Sequence, residues 1–150
     1  MNREKGHSVQ PPLITAQIGR LYKKMLRECD KIFREQNFPV EMDQIPVLLT
    51  IYYENKGLTQ QDICSGLQRD KASVNRTVAF LSKKDFVSCA QDAIDKRKTR
   101  VELTATGKEL ARQADTIIKK MDKTLTSGLT EKEVLQFSTL INKIIGTSFT

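Results

Sequence analysis

From Leu58 to Gly107 the chain strings together two short helix patterns, two strand-like runs around a basic tip, and a fresh helix start, with almost no spacer between them. Connections this short force each element to pack against its neighbours in the chain. In Thr59-Gln60-Gln61-Asp62 a hydroxyl stands where it can cap a helix, and an acid three positions on can reach back to the cap amide. Ile63 and Leu67 then supply a small apolar face. A two-residue turn at Gln68-Arg69 leads to Asp70, a good N-cap for a second helix with Val74, Val78 and Leu81 on one side. Lys71, Ser73, Asn75, Arg76 and Thr77 remain for the other side, with Arg69 just ahead of them. These side-chain types contact phosphates and base edges when the front of a helix enters a DNA major groove.

Beyond the second helix, Phe86 to Ala90 and Thr99 to Leu103 read as strands flanking the polar run Gln91 to Lys98. Asp95, Lys96, Arg97 and Lys98 fill the tip of that hairpin, and Arg100 follows in its second strand. Arg97 is placed to enter a minor groove, where narrow A-tract regions concentrate negative potential. Asp95 is expected to pair with Arg97 or Lys98 and fix its direction. Helix, turn, reading helix and hairpin add up to a winged helix-turn-helix lobe over about 42–104, mainly α with a small β-hairpin wing, an α+β class.

These residues resemble the MarR family of bacterial transcriptional regulators. The resemblance rests on the spacing D-x-R-x-x-x-x-x-L-T-x-x-G at Asp95, Arg97, Leu103, Thr104 and Gly107, with L-T-x-x-D/E-I/L at Leu58 to Ile63. It extends to an N-terminal helix, the Gln-aliphatic-Pro-Val-Leu stretch from Gln44 to Leu48, and a long C-terminal helix pair. It implies a homodimer with one DNA-binding lobe per subunit. Three positions depart from the family pattern. Gln68 stands in the turn where glycine is common, which predicts an altered bend or a strained residue. Asp85 replaces a glycine that often follows the reading helix, although Asp tolerates the left-handed conformation better than most residues. Glu41 stands where a Ser, Thr or Asp cap is expected.

The 150 residues fit one domain with a real core, and the formal charge of +7 is unevenly spread. Ser65 to Arg100 holds nine Lys and Arg against four Asp, so most of the excess lies on the proposed reading helix and wing. Met1 to Gln10 is polar, and no apolar run approaches the roughly 18 residues of a membrane span. Cys29, Cys64 and Cys89 are odd in number and unpaired in spacing, so a cytoplasmic, reduced location is expected. His7 is the sole histidine and there is no phosphate-binding glycine loop, which leaves no basis for an enzyme, a metal site or a cofactor.

The ends of the chain read as dimerisation helices at about 12–36 and 108–147. Ile14, Ile18, Leu21, Met25, Cys29 and Ile32 step by three or four along one helix, and Ile45 to Tyr53 is a dense apolar helix expected beneath the lobe, with Pro46 tolerable near its start. A further helix starts at the Thr104 cap, carries Leu110, Ala114, Ile117, Met121 and Leu125, and is expected to close at Gly128. A last helix begins at a Thr130–Glu133 capping box, with Val134, Phe137, Leu140, Ile141 and Ile144 expected to face inward. These stripes exceed what one subunit of this size can bury, although a monomeric bundle is the simpler alternative.

By resemblance, a crevice between dimer helices and lobe would hold a small aromatic or amphipathic ligand near Tyr22, Met25, Leu26, Tyr52 and Tyr53, residues that ordinary packing also explains. Cys29 is a second sensing candidate, since Lys24 and Arg27 would lower its pKa if it were exposed. The reading that follows is a homodimeric DNA-binding regulator, a repressor of a pseudo-palindromic operator, released by a ligand. Its alternatives are a redox-sensing regulator using Cys29 and a winged-helix module that docks an acidic protein partner.

Overall fold

The computed structural model describes residues 13–148 in two compact units, one ending at Gln44 and one beginning at Ile45. His7 and the polar stretch to Gln10 lie outside the described residues, as does residue 12 of the expected first helix.

The first unit is built on helix α1, Ile14–Glu35. It ends where Asn37 turns left-handed (φ 49°). The Phe38 amide then returns to the Phe33 carbonyl at 3.0 Å, which sets the Phe33 and Phe38 rings edge to face at 4.8 Å. Glu41 does not act as a side-chain cap. Its amide instead donates to Gln44 Oε1 at 3.0 Å, and the Gln44 amide returns to the Glu41 carbonyl at 3.0 Å.

The second unit runs α2 (Ile45–Glu54), β1 (Leu58–Thr59), α3 (Gln60–Leu67), α4 (Lys71–Lys83), β2 (Val87–Gln91), β3 (Thr99–Leu103), α5 (Ala105–Leu125) and α6 (Glu131–Ile145). Its antiparallel sheet has the order β1-β3-β2, with Cys89 and Leu58 both opposite Val101. The wing therefore has a third strand beyond the expected hairpin. Val47 and Leu48 of α2, Ile63 of α3, Val74 and Leu81 of α4 and Val101 of β3 are its most deeply buried large side chains. They fix the two helices of the helix-turn-helix against the root of the wing. Pro46 sits in the first turn of α2, where no amide partner is lost.

The Leu-Thr-x-x-Gly signature has a physical cause at the start of α5. The Thr104 hydroxyl accepts from the Gly107 amide at 3.0 Å and donates to the Asp85 carbonyl at 2.6 Å. Asp85 makes that carbonyl available by adopting φ 59°. The Thr104 amide binds the Phe86 carbonyl at 3.1 Å, drawing helix and strand so close that a Cβ at Gly107 would lie 1.8 Å from the Phe86 carbonyl oxygen.

Two expectations about the C-terminal helices are corrected. Gly128 does not close α5, which ends at Leu125 with Thr126 as C-cap, and among the described residues no glycine takes a positive φ. The Thr126 and Ser127 hydroxyls donate to the Asp122 and Thr124 carbonyls, both at 2.8 Å, and so satisfy groups a glycine turn would otherwise serve. Nor do the apolar residues of α6 face inward within the chain. Phe137, Leu140, Ile141 and Ile144 are all exposed, although the Thr130–Glu133 capping box forms as expected.

Gly107→Ala should cost about 3 kcal/mol, because backbone must move to admit the methyl group. Gly66 has nothing within 4 Å of its missing Cβ, so Gly66→Ala should be neutral or stabilising by about 0.5–1 kcal/mol. Denaturant melts of both variants check the contrast, and equal effects would contradict the close-approach account.

Candidate nucleic-acid interface

Helix α3 is started by the expected reciprocal cap. The Asp62 amide donates to Thr59 Oγ1 at 3.1 Å and the Thr59 amide donates to Asp62 Oδ2 at 2.8 Å. Hydrogen bonds from the Thr59 hydroxyl and amide hold the Asp62 carboxyl below its ordinary pKa. The turn that follows needs a left-handed residue, and Gln68 supplies it (φ 50°, ψ 41°). A non-glycine residue there stores strain of about 1 kcal/mol. Asp70 then caps α4 by accepting from the Ser73 amide at 2.8 Å.

The front of α4 leaves Lys71, Asn75 and Arg76 exposed. Ser73 is half-buried, and its hydroxyl accepts from the Arg69 guanidinium, so these two side chains hold each other at the edge of the surface. Thr77 is a correction: at 4 % exposure it packs with Val74 and Val78 in the core and presents almost no surface. Its spacing from Val74 and Leu81 already placed it on that buried stripe. Ala72 and Ala79, about one turn before and one turn after Arg76, are exposed on its side of the helix and escaped the sequence reading. Their position relative to Arg76 was the available signal, and small apolar groups there suit a thymine methyl.

The wing is organised by Asp92, another residue that sequence reasoning passed over. Its amide closes the hairpin on the Lys98 carbonyl at 2.9 Å. Its Oδ1 accepts from the Ile94 and Asp95 amides at 2.8 and 2.9 Å, and its Oδ2 accepts from Arg100 Nε. The signal was an Asp two and three residues ahead of a tight tip, the spacing of an Asx turn. These bonds, the Asp95 amide first, hold the Asp92 carboxyl down at about 2. Arg100 also donates to the Gly57 carbonyl just before β1. Arg100, expected as a DNA contact, thus also braces the wing against the lobe, with its side chain 44% exposed. Asp95 is corrected: its carboxylate accepts from the Arg97 backbone amide at 3.1 Å and so shapes the chain rather than aiming the guanidinium. Lys96, Arg97 and Lys98 remain exposed beyond this scaffold.

The sensing candidates are divided between the units. Tyr22 and Leu26 are exposed and Met25 half-buried on α1, whereas Tyr52 and Tyr53 lie on α2. Tyr52 lines a cavity of about 180 Å³ with Ile51, Gly57, Leu103 and Lys108. The Tyr53 hydroxyl donates to Asp115 of α5, which also holds Lys119 Nζ at 2.8 Å. The Asp115 bond raises the Tyr53 pKa, and the Lys119 and Tyr53 bonds lower that of Asp115. Cys29 is buried and its thiol pKa is pushed up by that burial, so the expected activation by Lys24 and Arg27 does not occur. Among the described residues no cluster of His, Cys, Asp and Glu is placed to hold a metal ion, and no helix is long and apolar enough to cross a membrane.

A carboxyl depressed on folding stabilises the native state above its unfolded pKa of about 3.9 and loses that contribution as pH falls through its folded pKa. For Asp92 the loss falls between about 4 and about 2. Wing-tip amide resonances should therefore broaden or shift across that window, and Asp92→Ala should produce the same change at neutral pH. Tip resonances that stay fixed in both cases would contradict the bracing role.

With this geometry in hand, comparison with known proteins is specific. The profile of the MarR family matches residues 40–99, the span from the turn before α2 to the start of β3. The HTH-type transcriptional regulator BilQ of Clostridium symbiosum is 25% identical over 125 residues, covering 82% of this chain and 87% of that regulator. The S. aureus MepR protein, in a crystal structure of its DNA complex, superposes with a TM-score of 0.81 at 27% identity, covering 89% of this chain and 97% of MepR. Apo MarR from E. coli shares the fold at a TM-score of 0.73 and 22% identity, covering 90% and 98% of the two chains. The capped helix pair, the braced basic wing and these likenesses make the chain similar to MarR-family DNA-binding transcriptional regulators, with the family profile matched over the winged-helix lobe.

Proposed function

We propose that the chain is a homodimeric, sequence-specific repressor that reads a pseudo-palindromic operator in the cytoplasm and is released by a small aromatic or amphipathic ligand. The observation that carries the DNA part is the pairing of two surfaces on one rigid lobe. Lys71, Asn75 and Arg76 stand exposed at the front of α4, and Lys96, Arg97 and Lys98 stand exposed on a tip held by Asp92. Asn and Arg near a helix start suit adenine and guanine edges in a major groove, and a basic tip suits an adjacent minor groove. MepR, which shares the fold, has been crystallised as a DNA complex.

The dimer is supported by the uncovered apolar side chains of α6, Leu135, Phe137, Leu140, Ile141, Ile144 and Ile145, and by exposed Ile14 and Ile18 on α1. Exposed apolar stripes of this kind, each on its own helix, favour association. Two-fold symmetry would set the two reading helices roughly 34 to 36 Å apart, so that they meet successive major grooves. A ligand would act by favouring one separation of those helices over the other. Tyr52, beside its cavity in the second unit, is where such a ligand is best sought.

Selection of duplexes from a random pool, followed by affinity at two salt concentrations, tests the reading. A two-fold symmetric motif should emerge, favoured by at least about a thousandfold over bulk DNA and steeply salt-dependent. Weak binding to every duplex would favour a module that docks an acidic protein. On the selected duplex, Arg97→Ala and Arg76→Ala should each lose about 1–3 kcal/mol, and Asn75→Ala and Arg76→Ala should relax base choice within the half-site. Unchanged binding in all three would overturn these assignments. Replacing Phe137 and Ile141 together by Asp should shift the mass in solution from dimer to monomer, whereas an unchanged dimer would remove α6 from the interface.

A further inference from the structure

The wing tip carries one residue that neither the basic surface nor the core explains. Ile94 is 96 % exposed, the most exposed of the large apolar side chains described. A single apolar residue on a surface is ordinary, but this one is unusually mounted. Its amide donates to Asp92 Oδ1 at 2.8 Å, and the next amide, of Asp95, donates to the same oxygen at 2.9 Å. Asp92 is held by Arg100, and Arg100 reaches back to the Gly57 carbonyl ahead of β1. The backbone that presents Ile94 is thus tied through charged hydrogen bonds to the lobe that carries α4. After the half-buried Asp95 come Lys96, Arg97 and Lys98, all exposed.

We propose that Ile94 is an apolar wedge, pressed against a base step of the DNA minor groove that the wing enters, and that it adds a preference for an easily unstacked step. This rests on the reading of the wing as DNA-facing. The surrounding cations complement the negative groove and bring the tip in. An uncharged, β-branched side chain at its end then finds apolar contact only with sugars and base faces. Apolar side chains on stiff supports part base steps and kink the duplex, and pyrimidine–purine steps such as TA and CA yield at the lowest energy. Ile suits this role because its χ1 is restricted, so little rotamer freedom is lost on insertion. Carrying no charge, it contributes through buried area and leaves the counterion release set by Arg97 and the lysines untouched.

The test uses the full chain and the duplex it selects from a random pool, with a fluorescent adenine analogue placed in turn at each flanking position. Wild type should enrich a TA or CA step at a fixed distance outside each half-site and raise the analogue's fluorescence there. Ile94→Ala should lose that rise and that step preference, bind about tenfold more weakly and keep the same dependence on salt. Ile94→Leu should retain all three properties, and thermal melts of both variants should match wild type. Equal fluorescence, affinity and flanking preference in wild type and Ile94→Ala would overturn the wedge. If binding still depended on Arg97, the DNA-facing reading of the wing would survive that result. If no duplex were enriched at all, both would fall.

Discussion

The carboxylate of Asp92 gathers more of the proposed DNA-facing surface than any residue on that surface does. A hairpin tip with four consecutive charged residues, Asp95 to Lys98, has no apolar side chain among them, and its cations repel one another. Two backbone amides and one guanidinium converge on a single buried side chain instead, and the same guanidinium anchors the tip to the chain entering β1. Charge-assisted hydrogen bonds of this kind are directional, so they set the shape of the tip as well as its stability. Ordering the wing before DNA arrives spares the complex that entropy at the moment of binding.

The same logic recurs where the wing returns to the helices. Thr104 caps α5, bonds the Asp85 carbonyl and, through its amide, bonds the Phe86 carbonyl, while Gly107 lets helix and strand meet without a side chain between them. Asp85 accepts a left-handed backbone to make this possible. Helix α4 ends just before this junction and α5 begins there, so the junction fixes the chain between the two helices. Tyr53, Asp115 and Lys119 add a polar tie between α2 and α5 within the same unit. On the proposed function, in which the reading helices move, such stiff connections would keep the motion from being dissipated within the lobe.

What the sequence disclosed followed the range of the interaction involved. The caps at Thr59, Asp70, Thr104 and Thr130 were legible because each needs only a side-chain oxygen and an amide three residues on. The α4 surface was legible from periodicity except at Thr77, whose polarity outweighed its position on the stripe shared with Val74, Val78 and Leu81. Strand β1 was not legible, since two residues carry no alternation and Thr59 doubles as a helix cap. The Asp92–Arg100–Gly57 brace joins residues far apart in the chain, so spacing gave Arg100 only as one more cation in a basic run. At the end of α5, glycine was the expected terminator, but the neighbouring Thr126 and Ser127 hydroxyls made it unnecessary.

On the proposed function DNA is read by two surfaces, the front of α4 and the wing, and the shape of the second depends on the Asp92 brace beneath it. Hydroxyl-radical footprinting of wild type and Asp92→Ala on the selected duplex tests this most directly. Wild type should give two-fold symmetric protection over two major grooves about one helical turn apart, with flanking minor-groove protection. Asp92→Ala should lose the flanking protection and keep the central pattern. Identical footprints for the two proteins, or a wild-type footprint without two-fold symmetry, would contradict the account.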